Sequence, residues 1–289
     1  MNGAPAERRV IVNADDLGWT DGVNAGIARA HREGIVTSAT LAANMPAAAA
    51  GAEEAAAMPD LGVGVHLNAC QGPALSARAR EDLAGPDGVM NLTAGQVIRR
   101  RLLRPRATLS AIEAEFDAQI AFCLDHGLKP THADTHRHLH AWGSIFRLVA
   151  DLCRRYDIPF IRRHGERLPT GRWPVPERRQ QRVARVLTWL GARRQRQAPE
   201  WFATEGTWGV AHTGRIDEAF LIEASRRLPA GTVEIMVHPG LSDGLDPRQT
   251  RLIATRRTEL EALCDPAVAR ALDKAGVERT HYGRLAEQR

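Results

Sequence analysis

Aromatic residues are scarce, 5% of 289 residues, with only two tyrosines. They do not interleave with basic side chains as stacking platforms for single-stranded nucleic acid do, so no nucleic-acid partner is expected. The charge balance is slight: 39 basic against 34 acidic residues, a net +5. Cysteine is rare too, and Cys70, Cys123, Cys153 and Cys264 form no Cys-x-x-Cys pair. That excludes a disulfide scaffold and makes a reducing, cytoplasmic compartment the expectation. Long apolar runs are missing. The nearest candidate, residues 40–50, is alanine-rich and broken by Asn44 and Pro46, so no transmembrane segment is expected. Near the N-terminus, Val10-Ile11-Val12 runs straight into Asp15-Asp16, which does not read as a signal peptide. Also absent are a G-x-S-x-G elbow, a G-x-G-x-x-G fingerprint, a phosphate-binding P-loop and H-E-x-x-H.

What is present is a chain 44% hydrophobic, long enough to bury a large core. Short β-type runs alternate with helical stretches. Residues 9–13, 36–42, 61–67, 131–135, 158–162 and 232–238 read as strands. Residues 24–33, 47–57, 110–126, 144–156, 220–228 and 250–264 read as helices. Such alternation implies an α/β fold, a mostly parallel sheet covered by helices. About seven units without a linker suit one distorted TIM-like (β/α) barrel spanning 1–289 better than two domains. Two segments break the rhythm. Residues 71–106 are loop-rich, and residues 163–197 carry ten arginines against Glu166 and Glu177. Both read as insertions near the site, where α/β folds place specificity elements.

Four motifs carry groups capable of chemistry. Asn13-Ala14-Asp15-Asp16-Leu17-Gly18 puts two carboxylates at the end of the first strand. Adjacent carboxylates repel unless a cation is near, so a metal ligand beside a base is one reading. An Asx turn capping the next helix is the other. Gly64-Val65-His66-Leu67 ends a strand with a single histidine, as a core histidine would also do. His132, Asp134, His136, His138 and His140 fall on alternate positions, so an extended chain would point all five to one side. That density of imidazole points to metal or catalysis, although not all five can be ligands. Val237-His238-Pro239-Gly240 closes the last clear strand. In a barrel these strand ends meet at one mouth. An Asp/His/His set with an open position suits one divalent ion, zinc or another.

These motifs, in this order and joined by Gly34-Ile35-Val36-Thr37-Ser38-Ala39-Thr40, resemble the YdjC-like carbohydrate deacetylases. That family includes chitooligosaccharide and hopanoid-associated deacetylases. The resemblance spans roughly residues 8–245. It implies a distorted (β/α) barrel and metal-dependent removal of N-acetyl groups from an amino sugar or glycolipid, with one zinc or magnesium ion. By motif it makes Asp15 the general base, Asp16, His66 and His136 the metal ligands, and His238 the general acid. It puts Arg162 in the substrate pocket, and a homodimer is compatible with it. His138 and His140 extend the cluster without being made ligands. The competing readings are a barrel hydrolase acting on a phosphoester or cyclic amide, and a non-catalytic carbohydrate- or lipid-binding relative. For the basic segment, Val183, Val186, Leu187 and Leu190 are expected to form the apolar stripe of a surface helix. An anionic or membrane-associated substrate is the alternative.

Overall fold

The computed structural model describes residues 7–167 and 176–289. The chain opens with β1 (Arg8–Leu17), α1 (Asp21–Arg32), β2 (Ser38–Leu41), α2 (Ala48–Ala56) and β3 (Gly62–Leu67). A hairpin of β4 (Gln71–Pro73) and β5 (Val89–Asn91) encloses α3 (Ala77–Asp82), and α4 (Ala94–Leu103) and α5 (Pro105–Asp125) follow. Next come β6 (Ala133–Thr135), a 3-10 turn over His136–Ala141, α6 (Gly143–Arg155) and α7 (Arg178–Gln197). The chain ends with β7 (Thr207–Trp208), α8 (Glu218–Arg227), β8 (Gly231–Val237), α9 (Ala254–Leu263), α10 (Pro266–Lys274), β9 (Val277–Arg279) and α11 (Tyr282–Ala286).

The main sheet runs β6-β3-β2-β1-β8-β7, all pairs parallel, with β9 beside the start of β1. β3 is buried along its whole length and β1 from Val10 onward, as expected of a parallel sheet covered by helices. The two sheet edges are linked by the extended run 160–164. Ala133 bridges Ile161, and His164 bridges Thr207, drawing the curled sheet into a distorted barrel. The strand expected at 158–162 is reduced to these single bridges. Its backbone partners pass from β6 to Trp201 to β7 within a few residues, so no ladder can lengthen.

Local chemistry sets the boundaries. Thr20 caps α1 by accepting from the Val23 amide at 3.2 Å, worth about 1 kcal/mol. Thr93 and Gln96 form a reciprocal capping box on α4. Gly26 of α1 lies so close to Gly240 that a Cβ would sit 2.4 Å from the Gly240 Cα. This contact seats α1 directly against the loop that follows His238.

Candidate metal and catalytic site

The register between β1 and β2 shifts between Ala14 and Leu17, and Asp16 has φ +73°. Bulges re-aim side chains, and aspartate is among the few residues that tolerate this backbone region. The distortion lets consecutive carboxylates both line one pocket at the C-terminal ends of the strands. That pocket, about 330 Å³, is also lined by Trp19, His66, His136, His138 and His238.

Three of these side chains converge. Asp16 Oδ1 lies 3.5 Å from His66 Nε2 and 3.6 Å from His136 Nδ1, and the two nitrogens are 3.3 Å apart. Among the described residues, Asp16 Oδ1 is buried without a hydrogen-bond partner. Each group is fixed from behind. His66 Nδ1 donates to Asp134 Oδ1 at 2.7 Å, which turns Nε2 toward the cluster. His136 Nε2 donates to Gln71 Oε1 at 2.9 Å, which frees Nδ1. Asp16 Oδ2 accepts from Arg256 Nη2 at 2.5 Å. Such outer partners set tautomer and orientation in metal centres. Four-coordinate bonds of 2.0–2.1 Å place neighbouring donors about 3.4 Å apart, whereas octahedral bonds of that length place them about 2.9 Å apart. Asp16, His66 and His136 could therefore hold one metal ion between them.

A second group of ligand-type residues, Asp15, His66 and Asp134, lies alongside. Arg162 already occupies it. The guanidinium, 1% exposed, pairs with Asp15 at 2.8 and 2.5 Å, with Asp134, and with Glu234 at 2.6 Å. Sequence comparison by motif places Arg162 at the substrate; here it lies beneath Asp15 and is absent from the residues lining the pocket. Three carboxylates saturate it, so it orients the site from below.

The electrostatics follow from these contacts. Burial alone would raise the Asp15 carboxyl, but Arg162 outweighs it and holds the group well below the usual carboxylate range. Asp16 is held low in the same way, against burial, chiefly by Arg256 and then His136. Burial also disfavours a charged His66, yet Asp134, Asp15 and Asp16 together raise its pKa to about 9. His238 is pulled down to about 4 by burial, only partly offset by Asp15 and Asp16, and its Nδ1 has no partner. The His238 amide donates to Glu259 at 2.6 Å, and Glu259 also accepts from the Gly214 amide at 3.3 Å. One buried carboxylate thus ties together two loops of the rim.

The histidine run does not form the one-sided row that its spacing predicts. After Thr135 the chain turns, with Arg137 and His138 at φ +56° and +57°. His132 is buried and stacks on Tyr282 at 4.0 Å between centroids. His140 is locked between the Thr135 hydroxyl at 2.7 Å and the Arg162 carbonyl at 3.1 Å. Only His136 and His138 of the four reach the pocket. The apolar stripe of the basic helix is also different. Leu187 and Leu190 are buried together with Ala184, but Val183 and Val186 are exposed.

Sequence reasoning did not find Gln71, Arg256 or Glu259. Gln71 belongs to a loop-rich stretch and acts through the fixed position of its backbone. Its carbonyl accepts from both Asn44 and Asn68 at 2.8 Å, and its amide donates to Asn68 Oδ1 at 3.1 Å. Arg256 and Glu259 look like ordinary charges on an amphipathic helix.

A helix-covered parallel barrel with a three-donor pocket at its strand C-termini defines the class: a barrel with a candidate mononuclear metal centre. The sequence model of the YdjC-like protein family matches residues 9–274, and the chain belongs to that family. A carbohydrate deacetylase of Geobacillus stearothermophilus is 33% identical over 276 residues, 95% of this chain and 97% of its own length. One from Halalkalibacterium halodurans is 32% identical over 257 residues, covering 88% and 94% respectively. Among solved structures, a protein assigned to cellobiose-phosphate cleavage in Enterococcus faecalis superposes with TM-score 0.75 at 22% identity. It covers 97% of this chain and 99% of its own, a likeness of fold.

Proposed function

We propose that this protein is a metal-dependent hydrolase that removes N-acetyl groups from an amino sugar or sugar conjugate. The observation that carries the reading is the pocket floor. Three mutually close donor atoms, each backed by its own partner, stand beside a buried carboxylate and a buried neutral imidazole. Asp16, His66 and His136 would hold one divalent ion, and two imidazole donors favour zinc over magnesium. When bound, such an ion lowers the pKa of water and polarises an acyl oxygen. The relatives' activity supplies the substrate class.

The side chains then divide the proton work. The family resemblance gives Asp15 the proton of the attacking water, and Asp15 stays ionised beside it. Arg162 acts on the reaction only through Asp15, by fixing both carboxylate oxygens. His238 is proposed to deliver a proton to the amine nitrogen, which leaves poorly as an anion. Because His238 rests neutral with an open Nδ1, it must first take up the proton that it gives away. This favours one variant of the scheme. The Arg162 pair makes Asp15 a weak base, so His238 serves as both acceptor and donor while Asp15 supplies fixed negative charge. Phosphoester hydrolysis through two metals is disfavoured, because Arg162 fills the neighbouring donor group.

The test is acetate release from N-acetylglucosamine oligomers, before and after treatment with a chelator, followed by zinc or magnesium add-back. Chelator-sensitive release restored by one ion supports the reading. Unchanged release after complete metal removal, or none under any metal condition, rejects it.

A further inference from the structure

The arginine-rich helix α7 carries a face that the catalytic reading does not use. Its inner side is accounted for. Ala184, Leu187 and Leu190 pack with Ala141, Val210, Ala211 and Met236, and Met236 lines the catalytic pocket. The Thr188 hydroxyl accepts from the Glu166 amide at 3.1 Å. The helix is therefore firmly seated beside the pocket.

The outer side is unusual in composition. At 100° per residue, Arg178, Arg179, Arg182, Arg185, Arg193 and Arg196 fall within an arc of about 120° together with Val186 and Trp189. All six arginines are exposed, and none takes part in an ion pair among the described residues. Val186 is 51% and Trp189 62% exposed, with Val183 at the border 41% exposed. The helix contains no acidic residue. An ordinary solvated helix face would intersperse both signs and would not raise a tryptophan and two valines between guanidinium groups.

We propose that α7 is an interfacial helix that docks this protein on an anionic lipid bilayer. The inference goes beyond the deacetylase reading and does not depend on it. Apolar side chains flanked by arginines, on a helix far too polar to span a membrane, match the composition of helices that lie in the headgroup region. No helix among the described residues is long and apolar enough to cross a membrane, so attachment is peripheral. Charge argues against a second copy as the occupant, since a two-fold contact would set six arginines against six. Nucleic acid would satisfy the arginines but would leave Val183 and Val186 in water.

The test is sedimentation of the full chain with vesicles of phosphatidylcholine, with and without about 30% phosphatidylglycerol, across a salt series. Binding is expected with the anionic vesicles only, weakening as salt rises. Each basic residue near such a surface contributes roughly fivefold, so the Arg182→Glu/Arg185→Glu variant should bind at least tenfold more weakly. Trp189→Ser should also weaken binding. Both variants should keep their melting temperature and their activity on a soluble substrate, because every changed side chain is exposed. No binding to anionic vesicles overturns the proposal, as does undiminished binding of the variants. A change of sedimentation coefficient in Trp189→Ser without vesicle binding identifies a dimer face. Capture of an oligonucleotide but not vesicles identifies a nucleic-acid face. A wild-type protein that binds the anionic vesicles but releases no acetate would count against the deacetylase reading alone.

Discussion

Arg162 grips Asp15 with both terminal nitrogens, Nη1 to Oδ2 at 2.8 Å and Nη2 to Oδ1 at 2.5 Å, from beneath the pocket floor. The same guanidinium neutralises Asp134 and Glu234. Removing it leaves three buried carboxylates without their cation, so Arg162→Leu should destabilise the fold by about 3–5 kcal/mol. Arg162→Lys keeps the charge but cannot hold both oxygens of Asp15. It should stay folded, with kcat reduced and KM nearly unchanged. A raised KM at constant kcat would mean that Arg162 binds substrate directly.

Gln71 stands one contact away from the candidate metal site, through His136. Gln71→Leu should weaken metal binding by roughly 10- to 100-fold, the usual effect of losing an outer partner. Gln71→Glu retains an acceptor and should preserve binding. Competition with a chromogenic chelator measures both, and equal affinity in wild type and Gln71→Leu would remove Gln71 from the centre.

Asp15 and Asp16 are neighbours given different duties. Asp16→Asn should lose metal, because the orphaned Oδ1 is its proposed ligand atom. Asp15→Asn should keep the metal and lose activity by roughly 10²- to 10³-fold, the usual effect of removing one preorganised electrostatic group. Metal content and acetate release on both variants decide the matter, and the opposite pattern would exchange the roles.

Much of this site was legible because strand ends are legible. Apolar runs followed by Asp15-Asp16, His66, His136 and His238 mark where a parallel sheet gives way to its functional loops. What the sequence hid depends on backbone irregularity and on distance. The alternation of His132 to His140 promised an extended row, but two left-handed residues turn the chain after Thr135. Gln71, Arg256 and Glu259 have no local signature, since their partners lie 65, 240 and 21 positions away. The hairpin of β4 and β5 was read as loop because each strand has three residues, too few to display a period.

Burial holds His132, His138, His140, His164 and His238 below the ordinary imidazole range, His138 at about 3 and His238 at about 4. The unfolded chain takes up these protons near pH 6.5, while the folded protein does not. Stability is therefore present above that pH and lost as pH falls toward 4, by up to about 1.4 kcal/mol per unit for each group. His66, raised to about 9, works in the opposite sense. Its contribution is full below pH 6.5 and is lost as pH rises through 9. Chelator-treated protein should melt at clearly lower temperature at pH 5.5 than at 7.5. An unchanged or higher midpoint at pH 5.5 would contradict the buried, neutral histidine set.

His238 gives the sharpest test of the proton scheme. If it protonates the departing amine, His238→Ala should slow an N-acetyl substrate far more than the matched O-acetyl ester. An alkoxide leaves without help more readily than an amide anion, so the ester depends less on an acid. Metal content should survive, because His238 lies outside the three-donor cluster. The pH profile adds a second readout. A His238 that must first accept a proton works from its neutral form, so wild-type kcat/KM should hold through neutral pH and fall only toward about 4. That acid limb should vanish in the residual activity of the variant. Measuring kcat/KM for both substrates in both proteins separates the outcomes. Equal losses on amide and ester would make His238 a group that positions substrate or supports the oxyanion, and loss of metal would make it a fourth ligand.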